Sequence, residues 1–329
     1  MKVAIIGSGS WGSALGMYLA KRGNEVKIWS FSKEELDTIN NEHKCKFLPE
    51  TTFPENVWAS NDFEQVLDGA EIILNVTPSK FVRSTLVQYK QFVKPDQPIV
   101  MCSKGFEPVT EKTFDVVVEE ELPGQKFAVL SGPSHAEEVS QDIRTALVVA
   151  SDNDDVLELV KNLFASPIIR IYTSHDVKGV EIGGALKNII AFCAGVCVGL
   201  GMGLGDNSFA ALLTRGLVEL SRLAVAMGAQ EKTLYGLTGL GDLIVTCNSE
   251  HSRNRRAGKL IGQGKTIEET KQEVGQTIES FDNIEVAYSL KQKYNVEMPI
   301  VDVAYNVLKG NLKPQDAVDI LMTRNLKEE

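Results

Sequence analysis

KVAIIGSGSWGSALGMYLAKRGNEVKIW, residues 2–29, decides how the first half of the chain folds. Lys2–Ile6 is a short apolar run that stops at Gly7, as a buried strand does. From Ser10 to Arg22 the apolar residues recur at helical spacing, and Gly23-Asn24 ends the run. Glu25–Trp29 alternates and reads as a second strand.

The theme repeats outward in the apolar runs Glu71–Val76, Ile99–Cys102, Phe127–Leu130, Ala146–Ala150 and Ile168–Tyr172. Helical stretches such as 154–164 fall between several of them. Alternating strands and helices imply a mostly parallel sheet covered on both faces. After about residue 175 the pattern changes, and the runs 176–200, 207–228, 266–273, 279–293, 299–309 and 314–322 look helical. A chain of 329 residues exceeds the usual size of one core. The expectation is therefore an α/β fold: an N-terminal Rossmann-like dinucleotide-binding domain over residues 1–178, then an all-α domain over 179–329. The last residues, NLKEE (325–329), look like a solvated tail.

Composition narrows the function. Lys and Arg number 34 against 44 Asp and Glu, a net charge of −10, which argues against a general nucleic-acid or anionic-membrane binder. The five cysteines (45, 102, 193, 197, 247) are few, odd in number and scattered, which suits a reducing cytosol rather than a disulfide framework. Cys193 and Cys197 read as small core residues, since no second ligand pair accompanies them. His43, His175 and His251 lack ligand-like partners and His135 reads as structural, so no metal site is expected. MKVAIIG is too short an apolar run for a signal peptide. Residues 188–205 carry no charge and imitate a membrane span, but Gly195, Gly199, Gly201, Gly203 and Gly205 favour a buried helix entering a glycine-rich turn.

GSGSWG, residues 7–12, fits G-x-G-x-x-G between a predicted strand and a predicted helix, the context that gives this motif its meaning. Gly7 allows the tight turn, Gly9 lets the backbone approach a pyrophosphate at the helix N-terminus, and Gly12 allows close helix–strand packing. In NAD binders an acid ~20 positions on bonds the ribose 2′-hydroxyl. Here that count reaches Ser32, where no acid stands; Ser32 and Glu35 are in capping-box register instead. A missing carboxylate favours NADPH over NADH, with Ser32 and Lys33 available to a 2′-phosphate.

SEHSRNRRAGK, residues 249–259, gathers Arg253, Arg255, Arg256 and Lys259 in an acidic chain. Such a run reads either as a solvated helix face or as a pocket for a small dianion.

The motifs GSGSWGSALG, FLPETTFPENV, SKGFE, SGPSHAEEV, EIGGALKNIIA, TRGLVEL, GLTGLGDLIVTC and SRNRRAGK together resemble the bacterial NAD(P)-dependent glycerol-3-phosphate dehydrogenases, from residue 3 to about 320. The resemblance implies hydride transfer between NAD(P)H and dihydroxyacetone phosphate, giving sn-glycerol 3-phosphate for phospholipid synthesis. It implies a cytoplasmic, metal-free homodimer. It further implies cofactor contacts at Ser10 and Trp11, substrate and cofactor contacts at Lys104, and substrate contacts at Gly132 and Ser134. Ala136 would lie against the cofactor, Lys187 would be catalytic, and Asp242 would bond the substrate's hydroxyl end. Ser252, Arg253 and Asn254 would hold the phosphate, Arg253 also reaching the cofactor, with Ile278 and Glu279 as further cofactor contacts. The chain departs from the family at Ser30, Phe31 and Ser32, where an arginine is usual, and at Phe47, Ser280 and Ile284.

The residue types suit this chemistry. Ketone reduction needs a proton donor and positive charge where the alkoxide develops. Lys187 follows Gly183-Gly184 and precedes an uncharged segment, where desolvation would lower its pKa; its bland reading is a lysine snorkelling from a helix end. Lys104 follows a predicted strand, at the end where open α/β sheets bind ligands, or is a plain loop lysine. Asp242 reads as a substrate contact or as the cap of a helix leading to Ile244. A related two-domain hydroxyacid dehydrogenase and a non-catalytic nucleotide sensor remain as alternatives.

Overall fold

A computed structural model describes residues 1–201, 205–325 and 328. It divides into one unit of residues Met1–Glu107 and Lys112–Glu181 and another of Pro108–Glu111 and Ile182–Glu329.

The first unit is built on an eight-stranded sheet: β1 (Lys2–Ile6), β2 (Glu25–Trp29), β3 (Val57–Ser60), β4 (Ile72–Asn75), β5 (Ile99–Met101), β6 (Phe127–Ser131), β7 (Thr145–Ala150) and β8 (Ile169–Ser174). Their order in the sheet is β3-β2-β1-β4-β5-β6-β7-β8. All neighbours are parallel except β6 and β7, paired through Leu130 and Val149. Val3–Ile6, Ile72–Asn75 and Ile99–Met101 are wholly buried, as strands covered on both faces must be. Strand order reverses between β1 and β4, and the loops leaving their carboxyl ends lie at the switch point where open α/β sheets bind ligands.

Sequence spacing misses β3. It is a four-residue edge strand after Pro54, and its Trp58 points partly to solvent, so it shows no apolar period. The predicted capping box at the start of helix α2 (Lys33–Glu42) is half realised. The Ser32 hydroxyl accepts from the Glu35 N–H, but the Glu35 carboxylate turns away to Ser8 and Ser30.

The second unit is helical, with no strand among its described residues. Its longest helix begins in the first unit and spans Val177–Gly199. That helix is long and apolar enough to cross a membrane, yet 78% of its most apolar window is buried within the protein. The expected glycine-rich turn begins later than its glycines suggest, because the helix runs through Gly195 and ends at Gly199. A Cβ on Gly195 would lie 2.0 Å from the carbonyl oxygen of Arg255, and one on Gly258 2.0 Å from that of Phe192. The long helix and the basic helix Arg253–Gly262 therefore touch backbone to backbone, a contact only glycine permits. Gly203 and most of the predicted tail 325–329 lie outside the described residues.

Elsewhere in this unit the buried Glu219 carboxyl accepts the backbone N–H groups of Ile300 (2.9 Å) and Val301 (3.3 Å) and caps the helix Pro299–Leu308. Burial pushes that carboxyl up to about 7, against the pull of the two donors.

Candidate active site

In the first unit the loop after β1 has the geometry of an anion cradle. Gly7 sits at φ +122°, where side chains are strained, and a Cβ on Gly12 would lie 2.0 Å from its carbonyl oxygen. Gly9, by contrast, faces open space. It is the N-cap of helix α1 (Ser10–Lys21), whose first turn carries neither a side-chain cap nor an acid. First-turn N–H groups and the helix dipole are thus left for a negative ligand. Trp11 extends the cradle: its indole N–H is buried with no hydrogen-bond partner among the described residues. An open glycine, an uncapped helix start and an orphaned donor fit a dinucleotide.

Counting residues places no acid at Ser32, but the fold carries Glu35 to the end of β2. Glu35 reaches back from α2, and its Oε2 accepts from the hydroxyls of Ser30 (2.9 Å) and Ser8. Ser32, half-buried, spends its hydroxyl as the α2 cap. Beyond β5, the Lys104 ammonium donates to the Gly132 carbonyl (2.9 Å) and lies 3.4 Å from the Ser134 hydroxyl. Gly132, at φ +124°, turns the chain out of β6, and Ser134 Oγ also donates to its carbonyl at 3.0 Å. Three residues expected to contact substrate are thereby joined in one cluster. Ala136 is buried in the first turn of the short helix Ala136–Ser140.

The second unit holds a buried charge cluster. Lys187 lies on the long helix with its side chain 8% exposed, and Asp242 opens the helix Asp242–Asn248 with its side chain 2% exposed. The Lys187 ammonium donates to Asp242 Oδ1 at 2.9 Å and to Thr246 Oγ1 at 2.6 Å, and the Thr246 hydroxyl donates to Asp242 at 3.1 Å. Asp242 is no helix cap; its carboxylate answers Lys187. Thr246, one helical turn after Asp242, is a member of the site that sequence reasoning misses; the Asp-x-x-x-Thr spacing was its only signal. The five residues before Asp242, Leu237–Gly241, form a π-helical turn, an uncommon backbone that is frequent at functional sites. Next to Thr246, burial pushes the Cys247 thiol up to about 12, so it offers no thiolate at neutral pH.

SRNRRAGK forms the start of the basic helix, capped by the Ser252 hydroxyl, which accepts from the Arg255 N–H at 3.2 Å. Arg253, Arg255, Arg256 and Lys259 are half-buried, so this is no simple solvated face; Arg255 pairs with Glu250. The resemblance places Asn254 at the phosphate; in the structure each end of its amide already makes one bond within the unit. Its Nδ2 donates to Asn188 Oδ1 at 2.8 Å, and its Oδ1 accepts the Ser280 N–H at 2.9 Å. Asn188 follows Lys187 in the chain, so this bond ties the start of the basic helix to the lysine. Ile278 is the buried N-cap residue of the helix Glu279–Lys293, and Glu279 its half-buried first-turn acid. Among the described residues no group of three metal-ligating side chains comes together.

Two family models match the chain: the N-terminal part of the NAD-dependent glycerol-3-phosphate dehydrogenases over residues 2–157, and their C-terminal part over 176–319. A glycerol-3-phosphate dehydrogenase [NAD(P)+] of Clostridium perfringens is 47% identical over 329 residues, covering 100% of this chain and 99% of the relative. One from Fusobacterium nucleatum is 47% identical over 333 residues, covering 100% and 98%. Among solved structures, a glycerol-3-phosphate dehydrogenase from Coxiella burnetii superposes with a TM-score of 0.94 at 38% identity, over 98% of this chain and 99% of that one.

Proposed function

We propose how the work is divided in a chain that belongs to the NAD-dependent glycerol-3-phosphate dehydrogenase family. Its reaction is hydride transfer between NAD(P)H and dihydroxyacetone phosphate, giving sn-glycerol 3-phosphate, and through it phospholipid precursors. When bound, the nicotinamide nucleotide supplies the hydride. Residues 1–178 bind it: Gly7, Gly9, Ser10, Trp11 and Gly12 take the pyrophosphate, and Ser32 and Ala136 add contacts. Lys104, Gly132 and Ser134 orient substrate against the nucleotide.

Residues 179–329 bind and protonate the substrate. Lys187 donates its proton to the ketone oxygen as the carbonyl carbon gains the hydride, so that C=O becomes CH–OH. Asp242 and Thr246 hold the ammonium in place, and Asp242 also accepts from a substrate hydroxyl. Arg253 and Ser252 hold the phosphate; a planar guanidinium suits a dianion better than a point charge does. Asn254 belongs with them as the link that sets the start of the basic helix. Arg253, Ile278 and Glu279 add contacts to the nucleotide. The working form is a cytoplasmic homodimer, checked by sedimentation.

The observation that supports this reading best is the buried Lys187–Asp242–Thr246 cluster, one residue from the Asn188–Asn254 bond. The test is NAD(P)H oxidation on adding dihydroxyacetone phosphate, with unphosphorylated dihydroxyacetone and a 2-keto acid as controls. Turnover of the keto acid alone, or of nothing, would sink it.

A further inference from the structure

We propose that Glu35 stands in for the acid missing from the end of β2, and that it selects NADH over NADPH by excluding a 2′-phosphate. The inference rests on the dehydrogenase reading above and goes beyond it by choosing between the two nucleotides.

In a dinucleotide-binding βαβ unit, the residue near the end of the second strand reads the adenosine ribose. Here β2 ends at Trp29, and Ser30 follows with a buried hydroxyl that offers no charge. The charge comes from α2. Glu35 Oε2 accepts from Ser30 and from Ser8, and those two hydroxyl oxygens lie 2.6 Å apart. Ser8 stands between Gly7 and Gly9, so the carboxylate is fastened to the nucleotide loop itself.

Two forces then compete over a 2′-phosphate. Glu35 repels it. Lys46 attracts it, with its ammonium 3.6 Å from Glu35 Oε1, and Lys44 lines the same small pocket with Ser8, Thr38 and Phe47. The two sides are not equally fixed. Glu35 is held by two hydroxyls and by its place in the capped first turn of α2, with its side chain 17% exposed. Lys46 is 46% exposed and makes a loose, solvent-screened pair. The pocket's lining also contains no arginine, the residue best shaped to grip a phosphate. A fixed acceptor suits a ribose hydroxyl and opposes a dianion. This reverses the preference that spacing alone suggests.

The test is equilibrium binding without substrate. Dissociation constants for NADH and NADPH are measured by nicotinamide and tryptophan fluorescence on the wild type, Glu35→Gln and Lys46→Met. The wild type should bind NADH more tightly. Glu35→Gln should improve NADPH relative to NADH by roughly tenfold, the scale of one partly screened charge pair. Lys46→Met should move the ratio the other way, and it decides the matter if Glu35→Gln does not fold. A wild type that prefers NADPH, or a ratio unmoved in the variants while both nucleotides still bind, overturns the inference and leaves the dehydrogenase reading standing. A wild type that binds neither nucleotide overturns both.

Discussion

The nucleotide loop and the lysine cluster solve opposite problems. The loop of residues 7–12 leaves groups unspent: Gly9 faces open space, the first turn of α1 has no cap, and the Trp11 N–H has no partner among the described residues. The cluster spends its groups on one another: Lys187, Asp242 and Thr246 close a ring of hydrogen bonds. A site made of unsatisfied backbone can change in affinity without unfolding. A site made of a buried ion pair cannot lose a member without stranding a charge, which costs about 3–5 kcal/mol. Binding and stability are therefore separable in the first region and entangled in the second.

The largest effect should come from Lys187→Met, which should lower kcat by ~10²–10⁴-fold, the worth of a general acid, while NADH binding persists. Because the buried Asp242 carboxylate loses its ammonium partner, urea unfolding should show the variant destabilised as well. Adding Asp242→Asn should recover much of that stability and none of the turnover. A folded Lys187→Met enzyme with near-normal kcat would break the comparison at its root.

Arg253→Ala comes next. It should reduce kcat/KM for dihydroxyacetone phosphate by ~2–4 kcal/mol, the range for losing one partner of a buried charge pair. Unphosphorylated dihydroxyacetone should be affected much less, and equal losses on the two substrates would move Arg253 from phosphate binding to structure. Gly258→Ala tests the scaffold beneath both residues. Its Cβ would meet the Phe192 carbonyl, so chemical denaturation should show a loss of ~1–3 kcal/mol, the usual penalty of overpacking. Unchanged stability would mean that the two helices separate freely. The smallest effect is expected for Thr246→Val, which keeps the shape and removes one hydroxyl. It should lower kcat by roughly fivefold, about one hydrogen bond, with KM little changed. A rise in KM alone would assign Thr246 to substrate binding instead.

Legibility in the sequence follows the same division. The limits of β1 and β2 are read to the residue, because β1 is a continuous apolar run and β2 a strict alternation, each bounded by turn residues. The helices Asp242–Asn248 and Arg253–Gly262 enter that reading only as alternatives, a helix leading to Ile244 and a solvated helix face, although they carry much of the site. One follows a glycine-rich π-turn, and the other opens on a cationic run, so neither shows a clear apolar period. Glu35 was visible as a helix-start residue, and its nearness to Ser8, 27 positions away, was not.

The sequence by itself determined the βαβ start, the change from mixed to helical structure, the glycine loop and the family. Each of these rests on residues close together in the chain, or on periodicity that a short window contains. Only the tertiary structure decided that Asp242 answers Lys187 rather than capping a helix, and that Asn254 is held by Asn188 and Ser280. It likewise supplied the carboxylate beside Ser30 that the end of β2 lacks. These pairings join side chains whose separation is set by helix packing and close glycine contacts, and no local spacing encodes them. A hydrogen bond requires atoms within about 3 Å of one another, and that proximity exists only once the elements have packed.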